Sequence, residues 1–249
     1  MRRHHSPFSV VKVALSLSLG IWVCGAPLVA EALKLPRRGL PGRREPAGSR
    51  DTLVCVAPKA KPLIALVPEQ NRQITVSDYP TFFFYVPETI AKTAEFALAD
   101  ENYDVIYSTT LKLTGKPGVI SVSLPKGTKL PPLQVGKVYI WDFALKCNPG
   151  KPNGDLYVRG LISRVPFADE LRKQLNQSDA TKHPEIYAGA GMWPETLASL
   201  STLRRSDPRN PTLQKNWADL LESVNMADYS KEPLIDCCQP TAQQPRLSR

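Results

Sequence analysis

Few side chains in this sequence are arranged for chemistry. Two of the three histidines are His4 and His5, and the third, His183, stands directly before Pro184 in a polar stretch. A nucleophile or general base needs a partner within hydrogen-bond reach. The sequence has no Gly-x-Ser-x-Gly elbow, no phosphate-binding glycine loop and no histidine–cysteine cluster with metal-ligand spacing. We therefore predict no catalytic residue, metal ligand or cofactor, and we interpret His183 as an exposed loop residue.

Acidic and aromatic residues offer weaker candidates for a site. Asp78, Asp100 and Asp142 are candidate acids, and Asp100 with Glu101 could hold calcium weakly in a predicted hairpin, although we favour a solvated turn. The aromatic run at residues 82–85 could stack a ligand. Because alternate residues of a strand face opposite ways, both faces of this run need cover. We interpret the run as buried beneath the helical segment that follows later in the chain.

The cysteines indicate which disulfides the protein could form and whether it folds in an oxidising compartment. Cys55, Cys147, Cys237 and Cys238 follow the apolar N-terminal segment, and four cysteines allow three complete pairings. We favour Cys55 with Cys147, because both flank predicted strands of one sheet domain. Cys237 and Cys238 are neighbours in a tail rich in proline and glutamine and could pair elsewhere or stay reduced. No Cys-x-x-Cys motif supports a redox or zinc-ribbon site.

The N-terminus indicates export. Two arginines precede an apolar run at residues 10–23, and small residues follow at Ala30 and Ala32. The run is about 14 residues long, shorter than the roughly 20 residues of a membrane-spanning helix. We therefore predict a signal peptide over residues 1–32 and a periplasmic or extracellular protein.

Two alternatives to simple cleavage stay open. The apolar run could remain as an uncleaved anchor, or Cys24 could be lipid-modified, although Ile21, Trp22 and Val23 are not the small residues that such a site prefers. In each case we expect membrane contact only through this leader.

Basic residues are concentrated just after the leader. The chain has a formal net charge of +9. The first 30 residues contain Arg2, Arg3 and Lys12 and no acidic residue, so the charge after cleavage is +6. Residues 33–51 mix arginine with proline and glycine, which predicts a solvated basic linker. The alternative is contact with an anionic surface, through Arg37, Arg38, Arg43 and Arg44. Since no aromatic residues alternate with these charges, we expect no nucleic-acid partner.

Residues 52–166 have the pattern of a β-sandwich. Short runs rich in aromatic and β-branched residues are separated by proline, glycine, asparagine and aspartate, with no helical pattern between them. This spacing predicts an antiparallel sandwich. The predicted strands cover residues 63–67, 81–86, 93–99, 105–111, 118–124, 137–145 and 156–164.

One local motif narrows the fold class. Leu133, Gly136 and Tyr139 have the Leu-x-x-Gly-x-x-Tyr spacing that opens the penultimate strand of many fibronectin-III-like sandwiches. The tyrosine hydroxyl there bonds to the backbone upstream and forms a tyrosine corner. Trp141 follows on the same face of the strand. We therefore predict an immunoglobulin/fibronectin-III-like fold, mainly β, with a helical extension.

The extension covers residues 167–228. Apolar side chains recur at helical spacing, above all between Leu213 and Val224, and Asn210 before Pro211 is a typical helix start. We place Trp193 and Trp217 in the inter-helix core. The segment resembles one tetratricopeptide-like hairpin, too short to be stable alone, so we expect it to pack on the sandwich. Residues 229–249 are predicted to form a disordered tail.

Several segments together resemble a family of uncharacterised proteins, domain of unknown function 928 (DUF928), found mainly in cyanobacteria. The resemblance covers roughly residues 40–225 and implies an exported protein with a sheet domain followed by helices. It carries over no catalytic residue. The resembling segments are residues 42–50, 63–68, 80–87, 95–100, 133–141 and 187–203.

Our leading hypothesis is a non-enzymatic binding or assembly protein of the cell envelope that acts through protein contacts. The alternatives are a carbohydrate-binding module and an envelope hydrolase with a dispersed site.

Overall fold

The computed structural model describes residues 55–57, 59–69, 72–148 and 155–235. The predicted signal peptide, residues 1–32, and the basic linker, residues 33–51, lie outside this part. The described strands are β1 Ile64–Ala65, β2 Arg72–Thr75, β3 Thr81–Val86, β4 Thr93–Ala99, β5 Val105–Lys112, β6 Gly118–Ser123, β7 Val138–Leu145 and β8 Leu156–Arg164. The α-helices are α1 Asp169–Asn176, α2 His183–Gly189, α3 Trp193–Ser206 and α4 Pro211–Glu222. This composition confirms the mainly β fold with helices.

The strands form two sheets, ordered β1-β3-β6 and β2-β8-β7-β4-β5. This order matches strands A-B-E and C′-C-F-G of the immunoglobulin-type sandwich, with β2 added beside the last strand. All of the strand pairs are antiparallel except β2 with β8. The fold class predicted from sequence is therefore confirmed, with one parallel edge strand added to it.

Strand β2 is the element that the sequence pattern did not reveal. Its buried positions are held by Gln73 and Thr75, whereas the apolar Ile74 is exposed. This inverts the pattern that marks a half-buried strand. The strand forms because the β8 backbone supplies a partner in parallel register, with Ile74 opposite Ser163. Tertiary pairing thus overrides a weak local preference.

Aromatic rings fill the space between the sheets. Phe84 of β3 stacks on Phe143 of β7 with ring centroids 4.2 Å apart, and Phe82 lies 4.9 Å from Phe96 of β4. Trp141 is fully buried among them. Alternation along each strand points these side chains to one face, which is why the interior is built from every second residue.

The other face of β3 is also buried. Phe83 and Tyr85 point away from the interior and pack with Leu197, Leu200 and Trp217 of the helical extension. Burial, together with the nearby Glu232 carboxylate, raises the pKa of Tyr85 to about 12. The helices therefore cover the outside of the three-stranded sheet, and both faces of the aromatic run are packed by the chain itself.

Polar contacts fix the start of α3 to the sandwich. Trp193 Nε1 donates a hydrogen bond of 2.8 Å to the Leu66 carbonyl. The Glu195 carboxylate accepts hydrogen bonds from the Val76 and Ser77 backbone amides at 2.9 and 3.0 Å and from the Thr75 hydroxyl. Trp193 thus bonds to the sheet as well as lying beside the inter-helix core, where Trp217 is fully buried.

The start of α4 is capped as the sequence indicates. The Asn210 side chain accepts hydrogen bonds from the amides of Thr212 and Leu213 at 3.0 and 3.2 Å, and Pro211 is the first helical residue. The two satisfied amides and the fixed φ of proline fix where the helix begins.

The predicted tail begins too early in the sequence. Residues 229–235, assigned to it, include the end of a 3₁₀ turn, Ala227–Tyr229, and a segment paired with β6. The Val119 amide donates to the Pro233 carbonyl, and the Ile235 amide donates to the Val119 carbonyl, both at 2.8 Å. Backbone pairing orders this segment, a contact that its proline- and glutamine-rich surroundings do not reveal.

The tyrosine corner motif forms one hydrogen bond at the end of the sandwich. The Tyr139 hydroxyl accepts a hydrogen bond of 2.9 Å from the Gln134 amide, and Leu133 is buried beside it. Gly136 has φ +81°, a conformation that glycine adopts without steric cost. The bond closes the connection that leads into β7.

A disulfide joins Cys55 to Cys147 across 92 residues, with Cα atoms 5.2 Å apart. Cys147 comes two residues after β7, and Cys55 lies before β1, where its carbonyl accepts a hydrogen bond from the Ile90 amide. The bridge ties the segment entering the first sheet to the end of a central strand of the second. Cys237 and Cys238 lie outside the described residues.

We predict that Tyr139→Phe lowers the free energy of unfolding by roughly 1–2 kcal/mol, because it leaves the Gln134 amide without its acceptor. Urea unfolding measures this. Tyr79→Phe is the matched control, since its hydroxyl makes only a long bond of 3.3 Å to the Leu130 carbonyl and should cost less. Equal losses in the two variants would contradict a special role for the corner.

We also predict that Cys55→Ser with Cys147→Ser lowers the free energy of unfolding by roughly 2–5 kcal/mol, because the open chain regains the entropy of a long loop. Thermal unfolding in the absence of reductant measures this. Cys237→Ser with Cys238→Ser is the control and should leave the stability unchanged. A large loss in the control and none in the test variant would overturn the pairing.

Candidate binding surface

Three of the exposed large apolar side chains in the described chain gather at one place. Ile74, Val138 and Val135 are 41%, 39% and 50% exposed. Ile74 and Val138 both pair with Ser163, and Val135 forms a bridge to the neighbouring Arg164. Because strands lie about 4.8 Å apart, one cross-strand row on the outer face of the larger sheet carries Ile74, Ser163 and Val138. We call Ile74, Val135 and Val138 the apolar patch.

A cleft of about 330 Å³ adjoins the patch. One wall is the hairpin at residues 100–102, and the other is the connection at residues 131–134 that the tyrosine corner closes. Val138 belongs to both the cleft and the patch, so the two form one surface. The prolines Pro131 and Pro132 are exposed along its rim, where they add rigid apolar area.

Charged groups surround this surface. Lys137 lies 2.9 Å from the Glu101 carboxylate, and that hydrogen bond raises the pKa of Lys137. Arg164, the last residue of β8, pairs with Asp78 and donates a hydrogen bond of 2.5 Å to the Leu133 carbonyl. It therefore holds the connection at residues 131–134 to the end of β8. Exposed pairs of this kind add little stability, and their main effect here is to place charge beside the apolar patch.

Arg72 differs from these cations. It is exposed on β2, two residues before Ile74, and therefore faces the same side of the sheet. Within the described part of the chain no carboxylate lies within ion-pair distance of Arg72. The surface thus carries an accessible guanidinium at one edge.

The candidate acids of the sequence have structural partners. Asp142 binds the Arg159 guanidinium through both oxygens at 2.5 Å, in a largely buried pair. Burial alone would lower the pKa of Arg159, but the hydrogen bond and charge of Asp142 raise it overall. Asp78 pairs with Arg164. These contacts hold strands and connections together rather than pointing into the cleft.

The hairpin acids make a turn. The Asp100 carboxylate accepts hydrogen bonds from the amides of Asn102 and Asp104 at 2.9 and 3.0 Å, while Glu101 is paired with Lys137. Among the described residues no three histidine, cysteine or acidic side chains are grouped as a metal site. The arrangement explains why these acids occur together in a turn.

His183 lies at the junction of α1 and α2, where its Nε2 is 3.2 Å from the Leu175 carbonyl. Its ring meets Tyr187 edge-on at 6.4 Å. It is half-buried at the first residue of α2 and is not the exposed loop residue expected. The reason is the preceding 3₁₀ turn, Ala180–Lys182, which brings the histidine back onto the end of α1.

The residues that the sequence singled out fall into two groups. Leu133, Gly136 and Tyr139 shape the connection beside the cleft, whereas Trp141, Trp193 and Trp217 lie in or beside the core clusters. The apolar patch and Arg72 were not anticipated. Recognising them depends on β2, whose exposed isoleucine is visible only once its pairing with β8 is known.

No helix in the part of the chain that the structure describes has the length and apolarity to cross a membrane.

Comparison with known proteins gives a family and a distant structural likeness. No curated protein is significantly similar to the chain. The crystal structure of CopC from Methylosinus trichosporium OB3b aligns with a TM-score of 0.27 and 12% identity, over 40% of this chain and 88% of that chain. Such a weak likeness supports no inference about this protein. The family model "Domain of Unknown Function (DUF928)" matches residues 45–234, so this chain belongs to the DUF928 family.

Proposed function

We propose that this protein is a non-enzymatic binding module of the cell envelope that docks a protein partner on the apolar patch and the adjoining cleft. The observation that carries the proposal is that Ile74 and Val138 are exposed on one face of the sheet, in the same cross-strand row, with the exposed Val135 three residues before Val138. Contiguous exposed apolar side chains next to polar ones are typical of interaction sites. Isolated ones such as Ile90 are ordinary.

The chemistry of the surface favours a polypeptide partner. The β-branched side chains and Pro131-Pro132 offer apolar area without aromatic rings, whereas sugar binding commonly uses an exposed aromatic platform. A partner side chain of aliphatic type fits the patch, and a partner carboxylate fits the exposed guanidinium of Arg72, which pairs with no carboxylate of the described residues. Charge pairing at a rim mainly guides association and orientation.

Two other classes remain as outcomes of the test. A carbohydrate-binding module would bind a glycan at the cleft, where Tyr139 and Gln134 offer polar atoms. A hydrolase would lose turnover in His183→Ala. The contacts of His183 and of the candidate acids with their own chain favour structural roles for them, and we rank both classes below protein binding.

Export is the second part of the proposal. The leader pattern at residues 1–32 supports it, and so does the Cys55–Cys147 disulfide, because such bonds persist in oxidising compartments. Arg37, Arg38, Arg43 and Arg44 could bring the N-terminal segment to an anionic envelope surface.

We predict that a photoreactive amino acid at Val138 or Ile74, introduced into the full chain in its native host, forms one discrete protein adduct upon irradiation. Direct contact with a docked partner is the reason. Mass spectrometry identifies the adduct, and Arg72→Glu should weaken it several-fold by charge repulsion. Ile90, 68% exposed and outside the patch, is the matched control position. Equal labelling at Ile90, or none at Val138 and Ile74, would refute the surface.

We further predict that the purified mature protein begins at residue 31 or 33, because cleavage follows Ala30 or Ala32. Intact-mass measurement on protein from the native envelope checks this. A chain that begins at a lipid-modified Cys24 would identify a lipoprotein and correct the processing step. A full-length chain in the cytosol would contradict export.

A further inference from the structure

The outer edge of β2 presents backbone groups that the described chain leaves unpaired. β2 is the last strand of the larger sheet and pairs with β8 on one side. The Val165 amide donates to the Thr75 carbonyl, so Thr75 directs its backbone groups toward β8. Because these directions alternate along a strand, Gln73 also faces β8, whereas the amides and carbonyls of Arg72 and Ile74 point to the outer edge. Within the described residues those four groups have no hydrogen-bond partner.

The start of α3 limits the length of this edge. The next outward amide, that of Val76, donates to the Glu195 carboxylate at 2.9 Å, and the Ser77 amide donates to the same oxygen at 3.0 Å. The edge therefore consists of two donors and two acceptors on Arg72 and Ile74. An open strand edge is a template for pairing with another strand, and an edge this short matches only a short extended segment.

The side chains at the edge indicate which segment would fit. Ile74 is 41% exposed, and Arg72 is exposed on the same face. A strand added at the edge places its residues directly opposite these two, with Cβ atoms about 5 Å away on that face. An aliphatic side chain opposite Ile74 extends the row formed by Ile74, Ser163 and Val138. A carboxylate opposite Arg72 gains an ion pair, whereas a basic side chain there is repelled, so Arg72 discriminates between strands by charge.

Backbone geometry fixes the order of the two residues in the segment. Antiparallel pairs are more stable per residue than parallel pairs. In an antiparallel ladder, Ile74 and Arg72 each exchange both backbone hydrogen bonds with a single residue of the added strand. Since that strand runs in the opposite direction, its residue opposite Arg72 comes two positions after its residue opposite Ile74. The motif is therefore an aliphatic residue, any residue, and then aspartate or glutamate.

We propose that the protein partner binds as an extended segment that adds to the outer edge of β2 in antiparallel register, with an aliphatic residue opposite Ile74 and an acidic residue two positions later opposite Arg72. This inference rests on the docking surface proposed above and specifies how that surface recognises its partner. In strand addition the main-chain hydrogen bonds supply affinity, and alternate side chains supply specificity.

Hydrogen exchange of the Ile74 amide in the purified full chain, followed by NMR, tests this inference. The amide of Ile74 should exchange quickly in the free protein, whereas that of Thr75, which faces β8, should exchange slowly. The probe is a synthetic peptide of about seven residues, a common strand length, with threonines around a central valine and an aspartate two positions after it. When about nine-tenths of the protein is bound, exchange at Ile74 should slow by about tenfold, because only unbound protein exchanges.

Two matched controls separate backbone pairing from general contact. The peptide with the reversed sequence has the same composition but places the aspartate before the valine, and it should protect Ile74 several-fold less. Arg72→Glu should weaken protection by the aspartate peptide and favour a peptide with lysine at that position. Arg209→Glu, at an exposed arginine beyond the end of α3, should change neither.

Four outcomes would overturn the inference. Slow exchange at Ile74 in the free protein at every protein concentration would show that the edge is already closed. Protection that rises with protein concentration in the absence of peptide would identify a second copy as the added strand. Equal protection by the reversed peptide would exclude the register. A discrete adduct at Val138 in the cell, with no protection of Ile74 by any peptide, would refute strand addition but leave the docking surface, whereas loss of that adduct refutes the surface itself.

Discussion

Strand β3 has aromatic side chains on both faces, and the rest of the structure depends on covering both. Phe82 and Phe84 need the second sheet of the sandwich, while Phe83 and Tyr85 need the helices. Burying one such side chain contributes roughly 1.5–3 kcal/mol, whereas the net stability of a domain is only about 5–15 kcal/mol. Exposure of either face would therefore remove much of the stability. The helical extension is part of the fold and not an accessory to it.

Apolar cover alone would not fix the orientation of the helices, because hydrophobic burial has no direction. The polar contacts at the start of α3 fix the orientation of the helices. Trp193 bonds to the Leu66 carbonyl next to β1, and Glu195 bonds to the backbone just after β2. One helical turn thus contacts a segment beside each sheet. A carboxylate that accepts several hydrogen bonds is costly to displace, so this turn holds the helical layer in register.

The sequence predicted most elements because their local signals agree with the fold. Aromatic and β-branched alternation identified the long strands, and Asn210 with Pro211 marked the start of α4. Strand β2 could not be predicted, because its buried positions are polar and its pairing depends on β8. The candidate surface could not be predicted for the same reason, since only the pairing of β2 with β8 places Ile74 and Arg72 on the exposed face of the sheet. The backbone pairing of residues 233–235 with Val119 likewise depends on a distant residue, Gly118, where a Cβ atom would clash with Ile235.

The candidate surface and the layer formed by α3 and α4 use different faces of the sandwich. The outside of the three-stranded sheet is occupied by α3 and α4, whereas Ile74 and Val138 of the apolar patch lie on the outer face of the larger sheet. Its position depends on a rigid sandwich, and rigidity depends on both layers folding as one unit. Native-state hydrogen exchange tests that claim most directly. We expect the amides of β3, β7 and the centre of α3 to exchange with the same free energy of opening, whereas a free energy of opening for α3 several kcal/mol below that of the strands would contradict folding as one unit.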